Sequence, residues 1–281
     1  MDGAALAARI RAEVAREAAE LESLTLATVL VGDDPASEIY IRRKHEAARE
    51  AGIAARDHHL PAGTSEAELL ALVDELNADD AVDAILVQLP LPSGIDERRV
   101  LRAVEPTKDV DGFHPVSVGQ LYLDEPTFVP ATPLGIMALL EEYEVALEGA
   151  RAVVIGRSTI VGKPVALLLL RANATVTICH SRTHDLAARV REAEVVVAAV
   201  GQAALVAAGD VSPGAVVVDV GINRTEEGLR GDVDPRAAER ARLITPVPGG
   251  VGPMTIAMVL RNTVRAAKFR RGLLAFPGDR R

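Results

Sequence analysis

Ala152-Val153-Val154-Ile155-Gly156-Arg157-Ser158-Thr159-Ile160-Val161-Gly162-Lys163-Pro164, residues 152–164, decides the fold of this chain. The opening apolar run has no alternation, which reads as a strand buried on both faces. A glycine straight after such a strand lets the chain turn sharply. The helix that follows, from Gly162 to about Ala172, then points its N-terminal amides at a phosphate. The loop is not the standard GxGxxG, because Ser158 replaces the middle glycine. Taken alone, an ordinary β–α turn remains the alternative.

The next strand, Thr175–Cys179, selects the dinucleotide. An NAD site usually has an acid at this strand end, about 20 residues beyond the loop. Here the strand runs into His180-Ser181-Arg182-Thr183, with no carboxylate before Asp185. Arg157, Ser181 and Arg182 offer donors to an added phosphate instead, so NADP is expected, with a solvated polar turn as the competing reading. Val195–Val200 and Val216–Val220 read as further buried strands and Leu243-Ile244 as a short one. Gly201 and Gly221-Ile222-Asn223 follow two of them, where ligands bind in such sheets. Plain turn glycines are the competing reading. Gly252-Pro253 opens a last helix through about Ala267. The basic tail, Phe269–Arg281, is expected to be loosely ordered.

Upstream the same β/α alternation recurs, which predicts a second, mainly parallel sheet. Leu6, Ile10, Val14 and Ala18 have helical spacing within 4–22. Leu26–Val31 is a strand. Ser37 is expected to cap a helix through Ala51, and 53–60 to form a short strand. Ser65 with Glu68 is a capping box opening a helix to about Asn77. Ala84–Leu89 is a buried strand. Residues 105–131 read as irregular, and Thr132-Pro133 as the start of a helix to about Tyr143.

Three features of this half stand out chemically. Tyr40 and Lys44 lie four apart and share a helix face, a pair that suits proton transfer but is commonly mere surface decoration. Gln88 interrupts an apolar strand and must find partners if buried. Asp109 and Asp111 flank Val110, where they could hold a metal or a polar heterocycle, or simply cap a turn. Near the end, Thr245-Pro246-Val247-Pro248-Gly249-Gly250-Val251-Gly252-Pro253 makes a shaped loop that a flat ligand could approach closely.

The chain has 281 residues, and its 31 basic and 40 acidic residues give a net charge of −9. Two domains fit that length, and the negative balance argues against a nucleic-acid partner. Aromatic residues are 2% and Trp is absent, so the cores must be aliphatic. The single cysteine, Cys179, can form no internal disulfide, which fits a reducing compartment. No apolar run reaches the ~18–20 residues of a membrane span. No signal peptide is visible at the start, so a soluble, cytoplasmic protein is expected. No histidine cluster suggests a metal.

Six segments together resemble one family, the bifunctional methylenetetrahydrofolate dehydrogenase/methenyltetrahydrofolate cyclohydrolases. They are VGDDPASEIYIRRK (31–44), ILVQLPLP (85–92), PTKDVDGFHP (106–115), TPLG (132–135), GRSTIVGKP (156–164) and TPVPGGVGPMT (245–255). They follow the family's order and span nearly the whole chain. The resemblance implies that Lys44 is the catalytic lysine, Tyr40 its neighbour stacking on the folate, Gln88 the amide orienting the lysine, and Asp111 the acid holding the pterin. It implies that Gly156, Arg157 and Ser158 form the NADP loop, with Ser181 at the 2′-phosphate and Ile222 a further contact. It also implies that Pro248–Gly252 form the loop at the substrate cleft, with Pro248, Gly249 and Gly250 as substrate-binding residues. The implied fold is two α/β domains flanking a cleft, the second a Rossmann-like doubly wound parallel sheet, usually as a homodimer joined through the cofactor domains. The domains are expected at 1–120 plus 261–281 (folate) and at 121–260 (NADP). One departure is visible: many members carry Cys before the Thr-Pro pair, where this chain has Ala131. A dehydrogenase without hydrolase activity and a non-catalytic NADP sensor are the competing functions.

Overall fold

Why two separate sheets form is clearest from the strands that are buried on both faces. A computed structural model describes residues 1–226 and 228–276. The chain divides into two compact units, Arg9–Ala131 with the chain from Ile256, and Met1–Ala8 with Thr132–Thr255. These divisions fall at the start of one helix and within two others, and differ from the expected boundaries, since Met1–Ala8 group with the second unit and residues 121–131 and 256–260 with the first.

The first unit takes in most of α1 (Gly3–Ala19), then β1 (Thr25–Val31), α2 (Pro35–Glu50), β2 (Ala54–Leu60), α3 (Glu66–Ala78), β3 (Ala84–Val87), α4 (Glu97–Ala103) and α5 (Pro115–Tyr122). Its three strands are parallel in the order β2-β1-β3. β1, Thr-Leu-Ala-Thr-Val-Leu-Val, is buried throughout because it is central. β2, at an edge, carries Arg, Asp and two His with mixed exposure. Ala27, Val29 and Val31 point to one face and pack with Leu69, Val73 and Leu76 of α3. On the opposite face of β1, the Thr28 hydroxyl meets the buried His45 ring of α2 at 2.7 Å, tying α2 to the sheet.

Several local expectations change. Ser37 does not cap α2. Asp34 does, accepting from Ser37 N (2.9 Å) and Ser37 Oγ (2.7 Å), with Pro35 in the first turn. Proline fits there because its missing N–H would be unpaired anyway. The Ser65–Glu68 capping box forms as expected. Residues 105–131 are not wholly irregular, since α5 lies within them, capped by the His114 side chain. Phe269 is buried against Phe128, edge to face at 5.5 Å, and helical through Arg270, so the start of the expected loose tail is packed. Its end, Pro277–Arg281, lies outside the described residues.

Lys108 is buried, and its ammonium donates to the carbonyls of Leu76, Asn77 and Asp79 at 2.8, 2.8 and 2.9 Å. It therefore satisfies carbonyls at the C-terminus of α3, which the helix itself leaves unpaired. Lys108→Met is expected to destabilise the chain by about 2–4 kcal/mol, because buried acceptors lose their donor. A lowered urea midpoint would register this; an unchanged midpoint would mean that water replaces the ammonium.

The second unit contains α6 (Ala131–Glu142), β4 (Arg151–Ile155), α7 (Gly162–Arg171), β5 (Thr175–Cys179), α8 (Leu186–Arg191), β6 (Val195–Ala198), β7 (Val216–Asp219), the hairpin β8 (Asn223–Thr225) and β9 (Gly228–Arg230), β10 (Leu243–Ile244) and the start of α9 (Val251–Arg270). The sheet order is β10-β7-β6-β4-β5, all parallel. The chain steps outward from β4 to β5 and then reverses through β6, β7 and β10. This is the doubly wound order whose switch point lies between β4 and β6. Valine fills β6 and β7 because both are covered on two faces.

Candidate functional site

Side chains converge at the carboxyl end of the first sheet because three different elements end there. β1 leads into α2, which carries Tyr40 and Lys44 one turn apart. Gln88 follows β3, and its N–H bonds to Val29 O (2.8 Å), extending the ladder by one residue. Residues 108–111 run alongside β3: Ile85 N donates to Lys108 O, and Ile85 bridges Asp109 in parallel register. Asp111 follows in the turn that Gly112 N closes on Asp109 O (3.3 Å).

Lys44 is 6% exposed. Its ammonium donates to Gln88 Oε1 at 3.0 Å and lies 5.4 Å from the centre of the Tyr40 ring. Gln88 is held in turn, since its Nε2 donates to Leu89 O at 2.7 Å. That second bond fixes which end of the amide faces the lysine. Burial pushes the Lys44 pKa below its ordinary value, and the negative charge of Asp111 opposes the shift. Asp111 keeps some exposed surface as a residue, yet its carboxyl is shut in enough that desolvation raises its pKa to about 6, against the attraction of Lys44. A lysine that sheds its proton easily and a carboxyl that holds one late are suited to moving protons near neutral pH.

The two aspartates of the 108–112 stretch separate cleanly. Asp109 is a turn residue, accepting from His114 N (2.9 Å), Phe113 N (3.3 Å) and Ser117 Oγ (3.2 Å). Asp111 is the one coupled to Lys44. The loop between them is anchored by the buried Asn262 of α9, which donates to Val110 O at 2.7 Å and Val129 O at 3.1 Å. Asp33, Glu38 and His59 bring potential ligand atoms within 4.8 Å of one another, but all three are exposed. The His59 ring nitrogen already lies 2.9 Å from Gly32 O, and no metal is assigned there.

In the second unit, Gly156 stands where β4 ends, with φ 118°. Its N–H donates to Cys179 O at 2.9 Å. A Cβ there would overlap the carbonyl oxygen of Ala199, in the turn after β6. The switch point is thus closed by backbone against backbone. Ser158 Oγ accepts from Val161 N and Gly162 N, both at 3.2 Å, so the serine that replaces the fingerprint glycine pairs two amides at the entry to α7. Ile155 and Cys179 are the last residues of β4 and β5 to pair, so Arg157 and Ser181 both lie in the turns directly past these adjacent strand ends. Arg157, Ser181 and Arg182 are all exposed. The nearest acid, Asp185, caps α8 by accepting from Ala188 N at 3.0 Å. Its Oδ1 is thereby engaged in the fold.

Ile222 is 55% exposed, a large apolar side chain directly after β7. Pro248 is exposed, whereas Gly250 is buried and Gly249 O accepts from Ala4 N at 3.0 Å. A Cβ on Gly250 would fall 2.6 Å from Pro246 O and 2.7 Å from Thr245 Cβ. Packing within this unit therefore explains Gly250 without a ligand. Sequence reasoning missed Asp219 and Asp232, two buried carboxylates that organise the turns after β6 and β7. Their partners are backbone amides, which carry no residue-type signal.

Two family models match the chain. One, described as the tetrahydrofolate dehydrogenase/cyclohydrolase catalytic domain, covers residues 1–111. The other, described as the NAD(P)-binding domain of the same enzymes, covers 130–271. A bifunctional protein FolD from Acidiphilium cryptum (strain JF-5) is 60% identical over 274 residues, with 96% of this chain and 98% of the relative covered. The crystal structure of bifunctional FolD from Campylobacter jejuni is 49% identical, with TM-score 0.93, covering 96% of this chain and 98% of that one. A Trypanosoma brucei FolD structure, complexed with NADP cofactor and inhibitor, is 41% identical with TM-score 0.92, covering 98% of both chains.

Proposed function

Because the chain belongs to the tetrahydrofolate dehydrogenase/cyclohydrolase family, we propose that Lys44, Tyr40, Gln88 and Asp111 form its folate site, and that Gly156, Arg157, Ser158, Ser181, Arg182 and Ile222 hold its NADP. The protein is a bifunctional enzyme. It oxidises 5,10-methylenetetrahydrofolate to the 5,10-methenyl form with NADP, then hydrolyses that to 10-formyltetrahydrofolate. The observation that carries the site assignment is the buried Lys44 ammonium, hydrogen-bonded to Gln88 and coupled to Asp111.

NADP, when bound, would supply the hydride acceptor for the first reaction, and the folate nitrogens beside the departing hydride stabilise the cation with their lone pairs. The protein's part is placement. Asp111 binds the N–H edge of the pterin and the Tyr40 ring lies against its face. In the second reaction, water attacks the methenyl carbon. Lys44, in its neutral form, takes a proton from that water and returns one to the ring nitrogen as the carbon–nitrogen bond breaks. Gln88 holds Nζ in line for both transfers. Pro248, Gly249 and Gly250 are read as the loop beside the folate. Folate binding is assigned to the expected 1–120 plus 261–281 and NADP binding to 121–260. The family resemblance further supports a cytoplasmic homodimer, testable by sedimentation. No helix among the described residues is long and apolar enough to cross a membrane.

The residues beside Gly156 fit a phosphorylated ribose. Arg157 and Ser181 are exposed donors in the turns past adjacent strand ends, the nearest acid in the sequence is engaged in a helix cap, and the Ser158 hydroxyl, already accepting two N–H groups, keeps its own proton to donate. Replacing Arg157 and Ser181 together by Ala is expected to weaken NADP about 10- to 100-fold, as charge-assisted hydrogen bonds are lost, with NAD little changed. Equal losses for both cofactors would sink the phosphate assignment.

Asp111→Ala is expected to weaken folate binding by about 1.5–3 kcal/mol, the usual loss for a charged hydrogen bond. The pH dependence follows from the raised pKa. Below about 6 the carboxyl holds its proton and ceases to accept two donors, so dehydrogenase kcat/KM for folate should fall as pH drops through that value. A titration with a folate analogue and a pH–rate profile check both parts. A profile whose acid limb survives in Asp111→Asn would assign that limb to another group.

A further inference from the structure

We propose that Asp232 is a positioning residue for NADP, clamping the turn after β6 to the turn after β7 at the sheet's switch point. The inference rests on the reading above that NADP lies at the carboxyl ends of β4, β6 and β7. Asp232 is fully buried. Its Oδ2 accepts from Val200 N (2.7 Å) and Gly201 N (3.0 Å). Its Oδ1 accepts from Gln202 N (2.8 Å) and Asn223 Nδ2 (3.0 Å). Four donors from two turns therefore converge on one carboxylate.

A second carboxylate holds the first. Asp219, the last residue of β7, accepts through Oδ1 from Asp232 N (2.8 Å) and Gly221 N (3.1 Å), and through Oδ2 from Val233 N (3.0 Å). Its own N–H donates to Thr245 Oγ1 at 2.8 Å. The surroundings leave no slack. A Cβ at Gly221 would overlap the Asp232 carboxylate, and one at Gly231 would overlap that of Asp219. The turn so held begins one residue after Ala199, whose carbonyl abuts Gly156 of the cofactor loop. The clamp thus sets the wall against which that loop closes.

The direction of the donors has a chemical consequence. Three successive amides, 200–202, face inward to Asp232 and are not offered to a phosphate. What the turn presents outward is the exposed Val200 side chain, which suits an uncharged part of the dinucleotide. Phosphate binding is left to the loop from Gly156 and the donors past β5.

Asp232→Asn tests this in the full-length chain. In either orientation, the amide NH2 faces two N–H donors, so the clamp opens while size is kept. The expected result is a rise of about 10-fold or more in KM for NADP, since several hydrogen bonds to a charged acceptor are lost together. At saturating NADP, kcat should stay near wild type, and NADP-independent hydrolysis of methenyltetrahydrofolate should be retained. Asn223→Ala, which removes one side-chain donor and leaves the carboxylate, should give a smaller rise and serves if Asp232→Asn does not fold. The Arg157/Ser181 double variant is run beside them. If that control loses NADP affinity while Asp232→Asn, or failing it Asn223→Ala, binds NADP as wild type does, the clamp is overturned and the cofactor reading stands. If the control also binds NADP normally, the cofactor reading falls and the clamp with it. Parallel loss of hydrolysis and NADP affinity would reduce Asp232 to a general structural role and overturn the proposal as well.

Discussion

Lys44→Gln is expected to lower methenyltetrahydrofolate hydrolysis by about 10²–10⁴-fold, the usual contribution of a positioned acid–base group, and hydride transfer by much less. The asymmetry follows from what each step demands. Hydride departure is driven by lone pairs within the substrate, so it needs placement more than proton transfer. Water attack and ring opening must each move a proton, and Nζ is the group that the fold presents for it. Its burial lowers the pKa, which raises the neutral fraction able to accept a proton. Gln keeps polarity and much of the length of Lys, so the Tyr40 face and the Gln88 amide retain a neighbour, but it carries no transferable proton. Some dehydrogenase loss follows from altered folate placement. Both activities should be measured on one preparation, with folding checked by thermal melting. Hydrolysis that survives while hydride transfer collapses would remove Lys44 from the hydrolytic mechanism.

Gln88 is legible in the sequence because it breaks a pattern. A glutamine after Ile85-Leu86-Val87 must be paired, and its partner proves to be Lys44. Lys44 stands out only through its spacing from Tyr40, a pair common on helix surfaces, and the family resemblance is what assigns it the catalytic role. The Ser65–Glu68 box is plainly legible, since its donors and acceptors lie within four residues of one another. Asp34 and Ser37 are both of residue types that cap helices, and only the position of Pro35 marks Asp34 as the one that does. Lys108 looks like part of a charged turn. Nothing local announces that it closes α3, some thirty residues earlier in the chain. The same holds for Asp219 and Asp232, whose importance lies in backbone amides gathered from two turns. Side-chain identity reveals pairing within a helix turn or along a strand. It does not reveal which distant backbone a buried charge will meet.

Gly156→Ala is expected to reduce NADP affinity about 100-fold or more. Two costs combine. At φ 118° an L-residue is strained by about 1–3 kcal/mol. The new methyl would also overlap the Ala199 carbonyl oxygen and lie 3.1 Å from the carbonyl carbon, and overpacking against a rigid neighbour commonly costs about 1–3 kcal/mol more. Neither side can yield easily. Gly156 N is bonded to Cys179 O, Ala199 N is bonded to Ile155 O, and the residues that follow Ala199 are held by Asp232. The loop must therefore move away from the switch point, taking Arg157 and Ser158 with it. Gly201→Ala is the matched control. Its φ is 68°, also in the left-handed region, but a Cβ there meets nothing within 4 Å. It carries the backbone strain without the collision and should lose far less affinity. Titration of both variants with NADP decides between them. Equal, small losses would mean that the β4 turn is not closed against β6 in the cofactor-binding state. A large loss confined to Gly156→Ala, with methenyltetrahydrofolate hydrolysis retained, is the expected outcome, because hydrolysis uses no dinucleotide.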